Sequence, residues 1–371
     1  MSGVYIHIPF CRQACIYCNF YFLKGDARSA ILTDALLREI DLRIHTPPPF
    51  DLETVYFGGG TPSFIDPGLV ASLIKKIKSV FPGSTPLEIT LEANPDDMTR
   101  EKLEQWKDMG ITRFSVGVQS FFDHHLKWMN RAHNAAEAEH ALKMAGEMGF
   151  ELSADLIFGV PGSTIGEWSQ NLEKMLDYNI SHLSCYGLTL EDNTPWKKLI
   201  TTGKYAGPED AGAAEQFMYT MDFMGRQGWE HYEISNYCKP GFRARHNTSY
   251  WQDKPYIGIG PSAHSYDGLV RSWNVSDMQA YTEAILSGNV PSESELLGPD
   301  EKINEYLMTG LRVIWGVNED RIRELSGKAG EIIAQLQAYV REGKVIQEGR
   351  TYRLSPAGKL YADAIAASLF V

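Results

Sequence analysis

Six times between residues 4 and 227, a short run of β-branched and aromatic residues is followed by a longer amphipathic stretch. This alternation restricts the architectures open to the chain more than any other feature. The strand patterns are Val4–Ile8, Thr54–Phe57, Leu87–Glu92, Arg113–Gln119, Glu151–Ile157 and His182–Thr189. The helix patterns are Ala27–Ile44, Pro67–Phe81, Arg100–Met109, Ala135–Met148, Ile165–Asp177 and Pro208–Gln227. Strict alternation implies parallel strands joined by crossover helices, an α/β fold that is either doubly wound or a partial (β/α)6 barrel. The polar residues choose between the two. A cysteine-bearing loop, Gly58–Gly59–Gly60, Glu92 and Gln119 each fall at the C-terminal end of a different strand pattern, and a barrel gathers such positions around one mouth.

After Trp229 the alternation stops, and the Gly-, Pro- and aromatic-rich stretch from Tyr237 to about Trp273 reads as irregular. Helical patterns return at Glu301–Val313, Glu319–Leu325 and Gly330–Glu342, followed by a hairpin pattern, Lys344–Ile346 and Thr351–Leu354, around Glu348–Gly349–Arg350. Three helices and a hairpin predict a small winged-helix-like C-terminal domain. Its third helix has few basic residues, so packing or a protein partner suits it better than DNA. The expected organisation is a barrel core over 1–236, an irregular segment completing the barrel over 237–295, and the small domain over 296–371.

The chemistry centres on Cys11, Cys15 and Cys18. Thiols this close suit a metal or cluster better than a disulfide, because one bridge would leave a third thiol unexplained. A closed zinc site wants four ligands, and the loop's surroundings add only His7, inside a strand pattern. An iron–sulfur cubane on three cysteines keeps one iron open to a ligand. The remaining cysteines, Cys185 and Cys238, are far apart in sequence and read as buried reduced thiols.

A net charge of −12 without a basic run argues against nucleic acid as a partner. The apolar run Val4–Phe10 is too short for a membrane span or a signal sequence, so the expected setting is cytoplasmic, with no transmembrane segment.

Three consecutive glycines after the second strand let backbone groups approach a ligand, or serve a tight turn. Glu92 suits acceptance from ligand hydroxyl or ammonium groups, with a loop cap as the alternative. Gln119 and Asp155 are polar where burial is expected, and a buried carboxylate is costly unless it is paired or used. By spacing alone Arg131 favours a surface ion pair. His246 lies beside Asn247, Tyr250 and Trp251, a setting that suits either a buried, hydrogen-bonded histidine or an iron ligand with aromatic rings against a porphyrin. His264 is similar but less informative, and His124, His125, His133 and His140 read as solvated.

In order along the chain, Tyr5–Ile6–His7–Ile8–Pro9–Phe10–Cys11, the cysteine triplet, Gly58–Gly59–Gly60–Thr61–Pro62, the Glu92 and Gln119 motifs and Asp155–Leu156–Ile157–Phe158–Gly159–Val160–Pro161 resemble the radical S-adenosylmethionine (SAM) proteins, in their HemN/HemW branch. The resemblance covers nearly the whole chain. It implies a [4Fe–4S] cluster on Cys11, Cys15 and Cys18, with SAM chelating the fourth iron. It also implies an electron donor whose electron, passed through the cluster, cleaves SAM to a 5′-deoxyadenosyl radical. Implied SAM contacts are Tyr5, Tyr17, Gly59, Gly60, Thr61, Glu92, Gln119, Arg131 and Asp155, with Thr189 and His264 aligned less securely. Gly187 stands where a larger polar residue is expected.

Within that branch, oxygen-independent coproporphyrinogen III dehydrogenases have an extension before the first strand and a further cysteine two residues after the third. Here that position is Phe20, and the first strand starts at once. Heme chaperones of the branch have an aromatic residue there and an HNxxYW motif, matched by His246, Asn247, Tyr250 and Trp251. The resemblance thus implies a heme carrier, with His246 as heme ligand near the barrel mouth, Tyr250 and Trp251 against the ring, and acceptor hemoproteins as partners. It assigns no catalytic residue and leaves a homodimer open.

Overall fold

A computed structural model describes residues 2–44 and 50–371. The six expected strands form: β1 (Gly3–Ile8), β2 (Thr54–Gly59), β3 (Glu88–Ala93), β4 (Arg113–Gln119), β5 (Glu151–Phe158) and β6 (His182–Gly187). Between them run α1 (Ser29–Arg43), α2 (Pro67–Val80), α3 (Arg100–Met109), α4 (Ala135–Glu147) and α5 (Ile165–Leu176), and α6 (Asp210–Arg226) follows β6. Helix starts are written locally. Asp66, Thr99, Asn134 and Thr164 each accept a first-turn backbone N–H through the side chain, and Asn134 and Thr164 form reciprocal capping boxes with Glu137 and Glu167.

The strands are parallel and lie in chain order, β1-β2-β3-β4-β5-β6. The order never reverses, so there is no doubly wound switch point, and the strand ends form one arc as the partial barrel requires. Helices cover one face and the barrel interior lies on the other. Val4, Ile6, Phe57, Leu91, Phe114, Val116, Leu152 and Ala154 are all buried. In register these residues share one face of the sheet, and at about 25 cal/mol per Å² of apolar surface their burial is a main term holding the sheet together.

The stretch after Tyr237 is not irregular. It contains α7 (Arg245–Trp251), β7 (Tyr256–Ile259), β8 (His264–Tyr266), β9 (Val270–Asn274) and α8 (Met278–Leu286). β7 pairs in parallel with β1, and β8 and β9 continue antiparallel, extending the sheet past its first strand. These strands are only three to five residues long and are broken by Gly and Pro turns, so no local periodicity announces them. The partner of β7 is also some 250 residues away in the chain.

The chain divides into two compact units, residues 1–216 with 244–294, and residues 217–243 with 295–371. Most of the segment expected to complete the barrel, 237–295, lies in the first unit, and the divisions between the units fall inside α6, before α7 and after residue 294. The second unit has helices Pro299–Leu311, Glu319–Leu325 and Ala329–Arg341, then the hairpin Val345–Glu348 and Thr351–Leu354, to which Val317–Asn318 adds a third strand. Ile303, Leu307, Leu336, Tyr352 and Ile365 are among its core residues.

Candidate cofactor site

Beyond β1 the chain makes a loop whose two ends are tied together. Phe10 and Cys11 pair with Leu23 and Lys24, and Leu23 N–H donates to the Pro9 carbonyl. Within the loop Cys18 N–H donates to the Cys15 carbonyl (3.3 Å), and Ile16 N–H is held by the Met129 carbonyl (3.1 Å). Cys11, Cys15 and Cys18 are all free and half-buried, and all three line a cavity of about 540 Å³ at the C-terminal ends of the strands. Thr61 Oγ1 donates to Cys11 Sγ at 3.5 Å, and Arg131 Nη1 to Cys15 Sγ at 3.4 Å. Burial, outweighing the Thr61 hydrogen bond, pushes the Cys11 thiol up to about 11. The thiol keeps its proton until a metal displaces it.

Across the cavity, the glycine run brings main chain against the loop. Gly59 has φ +114°, and a Cβ there would stand 2.6 Å from the His7 ring; one on Gly60 would stand 2.8 Å from the Phe10 carbonyl oxygen. No larger residue fits either position. Gly59 N–H donates to Glu92 Oε2 (3.1 Å), and Tyr56 O–H to Glu92 Oε1 (2.8 Å). Burial pushes the Glu92 carboxyl up to about 7, against those two hydrogen bonds, and pushes Asp155 up to about 6 against hydrogen bonds from Ser184 and Ser115. A cationic ligand in the cavity would hold both ionised.

Gln119 ends β4 at a break in its pairing with β5 and adopts φ +67°, rare for a residue with a Cβ. Its Oε1 is buried without a partner, a group that an N–H or O–H of a ligand would satisfy. Arg131 is not a surface ion pair. It donates to Asn94 Oδ1 (2.6 Å) and the Gly117 carbonyl (2.8 Å) and forms part of the cavity wall.

Of the expected SAM contacts, Tyr17, Gly59, Gly60, Thr61, Glu92, Gln119, Arg131 and Asp155 line this one cavity together with the three cysteines, as do Gly187 and Thr189. Tyr5 does not line it. Its hydroxyl bonds His7 Nδ1 (3.1 Å) and its ring stacks on Tyr56, so it supports the Glu92 side from behind. His264 also lies outside the lining. Asn94, Ser115 and Tyr56 carry roles that the local pattern did not assign: Asn94 fixes Arg131, Ser115 reaches Asp155, and Tyr56 holds Glu92. The signal for Tyr56 was its place three residues before Gly59.

His246, Tyr250 and Trp251 are not near this mouth. Glu88, which opens β3, accepts the N–H groups of Arg245 (2.9 Å) and His246 (3.1 Å), docking the first turn of α7 at the N-terminal ends of the strands. The His246 ring inserts beside Gly3 and Thr54 and is 1% exposed. Its Nδ1 shares a hydrogen bond with Thr54 Oγ1 (2.8 Å) and its Nε2 one with the Tyr250 hydroxyl (2.7 Å), and it stacks on Tyr56. Burial lowers it to about 3, so the imidazole is neutral. The expected position at the barrel mouth is therefore corrected, because the anchor on Glu88 sets α7 under the opposite end of the same strands. His125 and His133 are likewise buried, not solvated.

The donor set fits a [4Fe–4S] cluster with SAM. Three thiols face one cavity, Cys185 and Cys238 are buried outside its lining, and the opposite wall offers Glu92, Asp155, a partnerless Gln119 oxygen and bare glycine backbone.

Comparison with known proteins agrees with this chemistry. Residues 5–175 match the profile of the radical SAM superfamily. The chain is 33% identical to heme chaperone HemW of Bacillus subtilis over 98% of both chains, and 32% identical to heme chaperone HemW of Synechocystis over all of this chain and 96% of the relative. Its fold matches that of coproporphyrinogen III oxidase HemN from Escherichia coli with a TM-score of 0.83, at 20% identity, over all of this chain and 90% of that one.

Proposed function

We propose, since the chain belongs to the radical SAM superfamily and to the HemW family within it, that it binds heme and hands it to acceptor hemoproteins in the cytoplasm. It would carry a [4Fe–4S] cluster on Cys11, Cys15 and Cys18 and SAM in the adjoining cavity. The observation that carries the reading is the likeness to proteins named heme chaperones, which spans at least 98% of this chain. Among the described residues no helix is long and apolar enough to cross a membrane.

The cluster, when bound, supplies an open iron and an electron. The protein's part is to hold the ligand: Glu92 and Asp155 accept from its cationic and hydroxyl groups, Gln119 Oε1 accepts a further donor, and Arg131 keeps a positive charge beside the loop.

His246 is the heme ligand of this reading, through Nε2, with Tyr250 and Trp251 beside the ring. Ligation then requires Nε2 to leave the Tyr250 hydroxyl, a contact within α7, and because the ring is 1% exposed heme reaches it only when α7 moves off the strand starts. Six-residue strands span about 17 Å from first to last Cα. Heme on His246 would thus be too far from the cysteine loop for direct contact between the two irons, and any influence of one on the other passes through the strands. The enzymatic alternative, dehydrogenation of coproporphyrinogen III, has the likeness in fold to HemN on its side. Against it, Phe20 is 73% exposed and lines the cavity where that reading expects a further thiol.

The test is an anaerobic heme titration of cluster-reconstituted protein, followed by absorbance, with His246→Ala and Tyr250→Phe alongside. Saturable binding that is lost in His246→Ala and kept or tightened in Tyr250→Phe, with heme passing to an apo-hemoprotein, is the expected result. Equal binding by His246→Ala removes His246 as ligand. Turnover of coproporphyrinogen III with SAM would replace the carrier reading by the enzymatic one.

A further inference from the structure

We propose a second metal site, for a divalent transition ion of the zinc class, formed by His124, His125 and Glu167. The two histidines lie on the short helix Asp123–Trp128, and Glu167 lies in the first turn of α5. One ligand atom from each lies within 4.8 Å of the others. His124 Nε2 stands 3.0 Å from Glu167 Oε1, and His125 Nε2 stands 4.0 Å from Glu167 Oε2. Ligands about 2.0–2.1 Å from a tetrahedral zinc are roughly 3.3 Å apart, so these separations bracket the required spacing.

An independent observation is the state of the His125 ring. His125 is only 4% exposed, and its Nε2 is buried with no hydrogen-bond partner. The other ring nitrogen is fixed through a chain of donors. Phe121 N–H donates to Asn171 Oδ1 (2.7 Å), which identifies that atom as the carbonyl oxygen; Ser120 O–H donates to the same oxygen (3.4 Å). Ser120 Oγ, which also accepts from Phe122 N–H (3.1 Å), shares a hydrogen bond with His125 Nδ1, 3.0 Å away. The ring is thus held through Nδ1, and Nε2 is left buried and unpartnered on the side of Glu167. A histidine tethered through one nitrogen with the other left open is the usual support for a metal ligand.

Glu167 is also held in place. Its Oε2 accepts from Thr164 N–H (2.8 Å) and Oγ1 (3.0 Å). The side chain of His124 is 64% exposed, which leaves room for water as a fourth ligand. Two imidazoles and one carboxylate suit zinc, cobalt or nickel better than magnesium or calcium. A bound ion would tie the segment between Gln119 and Arg131 to α5 without entering the cofactor cavity.

Equilibrium dialysis of the cluster-reconstituted protein against zinc, with metals counted per chain, tests the site. The expected result is one zinc per chain beyond the cluster iron, absent from His124→Ala and from Glu167→Gln, with a zinc-dependent rise in Tm seen only in the wild type. His124 is exposed, so its variant keeps the fold. A Cys11→Ser, Cys15→Ser, Cys18→Ser variant that still takes up one zinc separates this site from the cysteine loop. Failure of the wild type to bind zinc, or equal binding by both site variants, would overturn the proposal.

Discussion

Glu92 illustrates how a single residue links stability to function. Its carboxyl is pushed up to about 7 by burial, so the folded protein holds a proton between roughly pH 4.5 and 7 that the unfolded chain has released. Stability without ligand therefore falls as pH rises through that window, by up to about 3 kcal/mol from this group. Glu92→Gln keeps the shape and removes the ionisation, with its amide oxygen accepting from Gly59 and its amide nitrogen donating to Tyr56. We expect a higher Tm than wild type at pH 8, little difference at pH 4, and weakened SAM binding; calorimetry at the two pH values checks the first part, and an equal Tm shift at both would contradict the assignment. His246→Ala acts differently, through packing. It leaves the Thr54 and Tyr250 hydroxyls without their partner and opens a cavity beside Gly3, and should cost about 2–4 kcal/mol in chemical denaturation, independent of heme.

At the scale of elements, α7 depends on a carboxylate outside itself. With seven residues and no side-chain N-cap of its own, it has little intrinsic stability, and Glu88 serves the N–H groups of Arg245 and His246 instead. Arg113, between Glu88 (3.8 Å) and Glu151 (3.0 Å), balances the buried charge. In Glu88→Gln the amide can still accept from one of the two N–H groups but no longer pairs with Arg113. Hydrogen exchange over residues 244–251 should accelerate while β3 and β4 keep their protection. If heme loading displaces α7, the same variant should bind heme faster in stopped flow, and an unchanged rate would count against that displacement.

For the whole molecule, the three thiols are separable from the core although their loop is not. The buried apolar residues of β1–β6 supply most of the core, and the loop adds Ile16, packed with Met129, Ile157 and Trp196, while the thiols themselves are only half-buried. Replacing all three cysteines by serine should abolish iron uptake, measured by iron content, with little change in the far-ultraviolet circular dichroism or apo-protein Tm. Unfolding of that variant would mean the thiols themselves are needed for folding. The six strand–helix units and the arc of C-terminal strand ends were legible in the sequence because each unit announces itself locally, through periodicity, capping residues and the glycine run. The cysteines were legible by their close spacing, and Glu92, Gln119 and Asp155 because they are polar residues at or inside strand patterns, where only a function or a partner offsets their burial. What only the tertiary structure decided was which distant segments meet. Nothing local pairs β7 with β1, turns Arg131 from the surface into the cavity wall, or sets His246 under the strand starts by two hydrogen bonds from its helix to Glu88, 158 residues earlier. Such contacts arise from long-range packing and from the need of each buried donor for an acceptor, and neither leaves a periodic trace in the chain.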